Sequence, residues 1–178
     1  MNDKPDAAPS LVLPLDIALP DLLDSLPDGA YITDTHRQIL FWNKAAERIT
    51  GWRAKDVIGR NCVDNILAHV DKDGHALCGC EHCPLHRSIV TSQPSLEPIV
   101  VFAQRKYGIS APVEVSVAPL RDREGKVIGG IEIFRDMTES MQDLLRAKGI
   151  QEQAVACALP DDSRLRFEIR SRSSNSNC

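Results

Sequence analysis

The sequence predicts an α+β domain, a five-stranded antiparallel sheet with short helices on one face. Three observations predict it. Two short strands, "AYITD" and "ILFWN", lie near the start. A run of short helical segments follows, and the pattern then changes for good to that of strands. Within the last stretch Val113, Val115 and Val117 alternate with Glu114 and Ser116, the period of a strand with one buried face. Strands and helices segregated in this way fit a layer of helices on a sheet.

In chain order, residues 1–14 mix Pro, Ala and Asp and read as a flexible leader. Leu22, Leu23 and Leu26 have helical spacing, and Pro27, Asp28 and Gly29 stop that helix. The turn "THRQ" joins the first two strands into a hairpin. "NKAAERITGW" is a short helix with Asn43 as N-cap and Gly51 at the left-handed C-terminal position. "RAKDVIGRN" gives a single turn ending at Gly59, and "VDNILAHV" one more short helical piece. Asp71 to Gly74, "DKDG", open a loop, and "PLHRSIVTS" restores helical spacing with Pro84 in its first turn. "LEPIVVFAQRKYG", "ISAPVEVSVAPLRD" and "GKVIGGIEIFRD" are three strands in a meander, the last two joined by the turn "RDREGK". Residues 139–156 form an amphipathic helix with an apolar stripe of Met141, Leu144, Leu145 and Ile150, weakened by Gly149. Residues 157–178 read as a disordered polar tail.

A chain of 178 residues suits one well-buried domain with ragged ends. A net charge of −4 gives no reason to expect a nucleic-acid surface. The N-terminus lacks a signal pattern, and no apolar run approaches the ~18 residues of a membrane span. A cytoplasmic location, without membrane or direct nucleic-acid binding, is the expectation. There thiols stay reduced, so clustered cysteines point to metal or redox chemistry.

The segments "LLDSLPDGAYITD", "ILFWNKAAERITGW", "REGKVIGGIEIFRD" and "RDMTE", in this order and at these distances, resemble the PAS domain family of sensory modules. The resemblance covers roughly residues 17–140, and it places the domain at 15–138. It implies a sheet cupped around a ligand cavity, no catalysis by the domain itself, and signalling to a dimer partner or to an output protein such as a kinase, cyclase or transcription regulator. No output domain follows "DMTE", so the chain is expected to be a lone sensor or part of a longer gene. Asp136 and Thr138, at the end of the sheet, would cap the output helix and relay strain to it.

The stretch "ALCGCEHCPLHR", Ala76 to Arg87, holds three of the six cysteines. With Cys62 the spacing is C-x15-C-x-C-x2-C over Cys62, Cys78, Cys80 and Cys83, a set that suits Zn²⁺ or an iron–sulfur cluster but matches no standard finger or ferredoxin run. His69, His75, His82 and His86 are further candidates. Some PAS domains ahead of cyclase or kinase modules look similar over the insert at about 62–83, with the pattern G-x-x-C-x-D-x-I-L-x-H-x-D-x-x-G-x-x-L-C-x-x-x-C-P-L. That resemblance implies Cys62, His69, Cys78 and Cys83 as ligands, with Cys80 as the substitute. Cys78 and Cys83 are here one residue further apart than in that pattern.

Three readings of the cluster stand: a metal or cluster site, a reversible thiol switch, and cysteines that only pack. For the switch, Cys80 and Cys83 form a C-x-x-C ahead of a helix N-terminus that would stabilise a thiolate. A thiol–disulfide oxidoreductase using the same pair, or a zinc-stapled dimerisation module, are the alternative functions. "DKDG" reads as a turn rather than a calcium loop, which needs more oxygen ligands. Haem on His86, or flavin beside Trp42 and Trp52, is not expected, and Cys157 and Cys178 read as incidental. No catalytic triad, carboxylate pair or phosphate-binding glycine loop occurs.

Overall fold

The computed structural model describes residues 17–147 apart from 65 and 80. The 1–14 leader, Cys80, the second half of the predicted 139–156 helix and the 157–178 tail lie outside those residues. In chain order the elements are α1 (Leu19–Asp24), β1 (Gly29–Asp34), β2 (Ile39–Trp42), α2 (Lys44–Thr50), α3 (Ala54–Val57), α4 (Pro84–Thr91), β3 (Ile99–Gln104), β4 (Ser110–Arg121), β5 (Val127–Asp136) and α5 (Thr138–Ala147). The sheet order is β2-β1-β5-β4-β3 with every pair antiparallel, so the predicted five-stranded sheet is present. The last strand in sequence is the central one in space.

Register decides which side chains face the helices. Tyr31 on β1 lies opposite Trp42 on β2 and Glu132 on β5, and Glu132 lies opposite Val117 on β4. These residues, with Phe134, Val115, Val113 and Val101, form the buried inner face. Tyr31, Trp42 and Phe134 pack as a trio of rings with centroids 5.4 to 6.4 Å apart. Ile131 and Ile133, which flank Glu132, face the other way and are only partly buried.

Two adjacent glycines on β5 fit this packing. A Cβ at Gly129 would lie 2.0 Å from the Thr33 carbonyl oxygen, and one at Gly130 would lie 2.7 Å from Leu85 Cδ1. The first lets β1 approach closely; the second seats α4 on the sheet.

Asn43 joins three elements. It is fully buried, and its Oδ1 accepts from the Ala46 amide at 2.8 Å, as the predicted N-cap of α2, and from the Ala30 amide of β1 at 2.9 Å. Its Nδ2 donates to the Leu23 and Asp28 carbonyls at 3.0 Å. At the other end of α2, Gly51 takes the left-handed conformation with φ 77°.

The segment "VDNILAHV" corrects the sequence reading, because its described residues form turns and bends rather than a helix. Ala68 has φ 40°, which breaks helical geometry. The segment is instead held by the sheet at both edges. Asn61 bridges to Gln38 beside β2, and the Cys62 amide donates to the Arg37 carbonyl at 3.0 Å. Val70 exchanges two backbone hydrogen bonds with Phe102 of β3, at 2.9 and 3.0 Å. Five strands span about 19 Å, within the roughly 30 Å that nine residues can reach. The chain between Asn61 and Val70 is therefore a strap across the inner face, burying Ile66, Leu67 and His69 on its way.

Asn43→Ala orphans the buried Ala30 amide and two carbonyls along with the α2 cap. It is expected to lower the unfolding free energy by about 3–5 kcal/mol, read from urea or thermal unfolding. Asn43→Asp keeps both acceptor roles and should lose less.

Candidate functional site

The strap carries the predicted residues to the sheet. Cys62 follows its anchor at the β2 edge and is buried, as is His69 just before its anchor at the β3 edge. After Val70 the chain turns back on itself. Asp71 Oδ1 accepts from the Asp73 and His75 amides at 2.8 and 2.9 Å, confirming "DKDG" as a turn. Val70 bridges Ala76, and the Leu77 amide donates to the His69 carbonyl at 2.9 Å. This return brings half-buried Cys78 beside His69, whose amide donates to Cys78 Sγ at 3.2 Å. Cys83 is buried at the N-cap position of α4.

The fourth wall is the sheet. Glu132 of β5 is 1% exposed and His69 3%, and Glu132 Oε1 stands 3.7 Å from His69 Nε2. That is too long for a hydrogen bond, and neither atom has any other partner. The Tyr31 hydroxyl on the neighbouring strand pulls the carboxyl's pKa down. Burial pushes the Glu132 carboxyl up to about 8 and the His69 imidazole down to about 4. Both groups are therefore neutral at pH 7, a carboxylic acid facing an imidazole.

The thiols share this environment. Burial is the first cause in each case: it raises Cys62 far above the ordinary thiol range, Cys78 up to about 12, and Cys83 by a lesser amount. Each also feels Glu132 as a negative neighbour and Arg37 as a positive one. Cys62 further feels Cys78 and Cys83, so the three thiols line one compartment. For Cys83 the His86 and Leu85 amides pull downward, as expected for a helix start, but burial outweighs them. Burial thus favours the neutral thiol at Cys83, against the helix-start effect that favours a thiolate. Arg37 is the cation of the compartment, with a left-handed backbone (φ 66°) and a buried, unpartnered NH1.

The arrangement is gathered but open. Among the described residues, the only three His, Cys, Asp or Glu ligand atoms within 4.8 Å of one another belong to Asp71, Asp73 and His75, in the exposed turn. Cys80 lies outside the described residues. His86 is half-buried on α4, Trp42 is core, and Trp52 packs against the core edge with Arg60 5.6 Å above its ring. The sequence reading missed Glu132, Tyr31 and Arg37.

At the far end of β5, Asp136 Oδ1 accepts from the Thr138 amide at 2.9 Å and from its hydroxyl, while Oδ2 accepts from Arg105 at 2.6 Å. The same carboxylate holds the start of α5 and the β3–β4 turn.

In reduced, metal-free protein these shifts give a pH profile with a definite sign. Folded Glu132 keeps a proton up to about 8 that the unfolded chain releases near 4.5, so its stabilisation is full below 4.5 and lost as pH rises through 8. His69 acts oppositely: the unfolded chain takes up a proton near 6.5 that the folded chain refuses down to about 4, so stability rises over that range. The two offset below 6.5. Cys62, Cys78, Cys83 and Tyr31 have reference values of 9.0 or higher. Stability measured by urea unfolding with chelator and reductant should fall between pH 6.5 and 8, and Glu132→Gln should flatten that fall. A wild-type profile that is level there would contradict the assignment.

A family model described as "PAS fold" matches residues 23–142. The chain is 27% identical over 139 residues to the sensor protein FixL of Bradyrhizobium diazoefficiens, covering 77% of this chain and 26% of that protein. It thus spans about a quarter of that relative's length. A crystal structure of a PAS domain from Colwellia psychrerythraea superposes with a TM-score of 0.54 at 20% identity, over 66% of this chain and 92% of that one. A light-oxygen-voltage domain studied with a flavin analogue gives a TM-score of 0.53 at 20% identity, over 75% and 96%. No helix among the described residues is long and apolar enough to cross a membrane. Sheet order, strap, helices and family match agree, and the chain belongs to the PAS fold family of sensory modules.

Proposed function

We propose that this PAS module senses redox state or metal availability through Cys62, His69, Cys78 and Cys83, with Cys80 as an additional thiol. The observation that carries this reading is the convergence of three separate segments, at Cys62, Cys78 and Cys83, in one buried compartment with His69. Thiols that only pack would not need an amide directed at Cys78 Sγ or the partly buried Arg37 guanidinium close by. Both features stabilise sulfur that becomes anionic, as it does on binding a metal or forming a disulfide.

The change at the site passes along β5, whose Glu132 borders the compartment and whose Asp136 holds Thr138. From there α5 carries it to a second copy or to an output protein. The oxidoreductase alternative is weaker, because an attacking cysteine needs exposure and a lowered pKa. Cys83 is 4% exposed and its pKa is raised.

Metal analysis and an absorption spectrum of anaerobically purified protein test the reading. Zinc or iron near one equivalent, lost in Cys62→Ser or Cys83→Ser, is the expected result for metal sensing. Metal-free protein that forms a reversible disulfide among these cysteines, seen by mass spectrometry after peroxide, supports the thiol arm. Metal-free protein that forms none overturns both.

A further inference from the structure

Cys62 of the strap and Cys78 and Cys83 beyond it supply soft sulfur donors, while His69 Nε2 and Glu132 Oε1 are buried ligand atoms without a partner. We propose that Glu132 of β5 joins His69 and two of the cysteine thiolates as the fourth ligand of a single first-row divalent cation, held through mixed sulfur, nitrogen and oxygen donors. The inference rests on the metal arm of the proposed function and adds a residue far away in sequence.

Three observations carry it. First, His69 Nε2 and Glu132 Oε1 are both buried, both lack a partner and stand 3.7 Å apart. Two nitrogen or oxygen ligands about 2.1 Å from one tetrahedral ion are themselves about 3.4 Å apart. The pair is therefore too distant to bond each other and close to the spacing a shared ion requires. Second, charge balances better with the ion present. Thiolates and a carboxylate together are costly in a buried compartment, and a divalent cation, with Arg37 beside the sulfurs, offsets most of that charge. Third, Tyr31 sits directly across from Glu132 on β1, and its hydroxyl favours the charged carboxylate, as an outer neighbour of a ligating carboxylate does. An imidazole and a carboxylate among the donors suit zinc, or cobalt in its place, better than an iron–sulfur cluster held by cysteines alone.

The site is open as it stands, since no three of these ligand atoms gather within 4.8 Å among the described residues. Loading must draw the ligating thiols toward β5. Binding then releases the thiol and carboxyl protons to solvent, and no electron is transferred.

The test uses the full reduced chain and the metal ions alone. Wild-type protein titrated with Co²⁺ should bind one equivalent, with a thiolate-to-cobalt charge-transfer band and ligand-field bands. Glu132→Gln should keep the thiolate band, shift the ligand-field bands and bind at least tenfold more weakly, while its metal-free thermal unfolding stays cooperative. X-ray absorption of the wild-type zinc protein, which depends on no variant, should show a first shell of mixed sulfur and nitrogen or oxygen. An all-sulfur shell, an iron–sulfur spectrum in protein as purified, or unchanged bands and affinity in Glu132→Gln would overturn the role of Glu132 and leave the thiol–metal reading in place. Wild-type protein that binds neither Co²⁺ nor Zn²⁺ would overturn both.

Discussion

The strap between Asn61 and Val70 is tied by backbone hydrogen bonds to both outer regions of the sheet, at the β1–β2 turn and at β3. Its length is then fixed by the width of the sheet, and the side chains between the anchors have little choice of position. Ile66 and Leu67 fill the core, His69 is set beneath β5, and Cys62 is set beneath the hairpin tip that carries Arg37. The chain must then double back through the Asp71 turn to reach α4, which brings Cys78 against the His69 amide. One topological constraint thus assembles donors from distant parts of the strap without any secondary structure of its own. Part of the cost of an irregular buried backbone is offset because the Cys62 and Val70 amides and the Leu67, His69 and Val70 carbonyls are taken up by the sheet edges and the return turn.

The compartment so formed is polar where a sensory core could have been wholly apolar. Replacing Glu132 and His69 by hydrophobic residues would remove two buried groups with unpartnered atoms, each costing about 1–3 kcal/mol. The fold instead keeps them neutral: burial retains the proton on the carboxyl and excludes it from the imidazole. This is a resting state that a cation, or the removal of protons, can disturb. The aromatic trio of Tyr31, Trp42 and Phe134 supplies the stable part of the inner face beside it. The domain therefore places a well-packed region and an electrostatically strained one side by side on the same strands.

Much of this was legible in sequence because local rules governed it. Asn43 and Gly51 bracket α2 by capping chemistry alone, and the valines of β4 alternate because one face is buried. The strap was not legible, because Ile66, Leu67 and Val70 have a helix-like spacing and nothing local reports that Val70 will pair with Phe102. Glu132 was hidden for a related reason. Set between Ile131 and Ile133, it reads as the outward polar residue of a half-buried strand, and only the register against Tyr31 and Val117 turns it inward. Cys83 shows the opposite failure: the rule of the helix N-terminus is correct locally, and the burial that overrides it comes from the rest of the fold. The cysteines and His69 were found because their residue types are rare enough to be conspicuous at any spacing.

The position of Glu132 also bears on how such a site could signal. In a strand, alternate residues share a face, so Gly130, Glu132, Phe134 and Asp136 line up on the inner side of β5. Gly130 is the seat of α4, Phe134 belongs to the aromatic trio, and Asp136 binds Arg105 and Thr138. Because β5 is hydrogen-bonded on both sides, to β1 and β4, it cannot peel away to accommodate a new ligand. A pull on the Glu132 carboxyl has to appear instead as a change in strand twist or in the fit of α4, and both reach Asp136 within two turns of the pleat. The Asp136 carboxylate already divides its two oxygens between the sheet and α5, so a small rotation there trades one set of bonds against the other. That is a physical route from a buried ligand to an exposed helix that requires no mobile loop, and it explains why the central strand is the useful place for the one acidic side chain of the inner compartment.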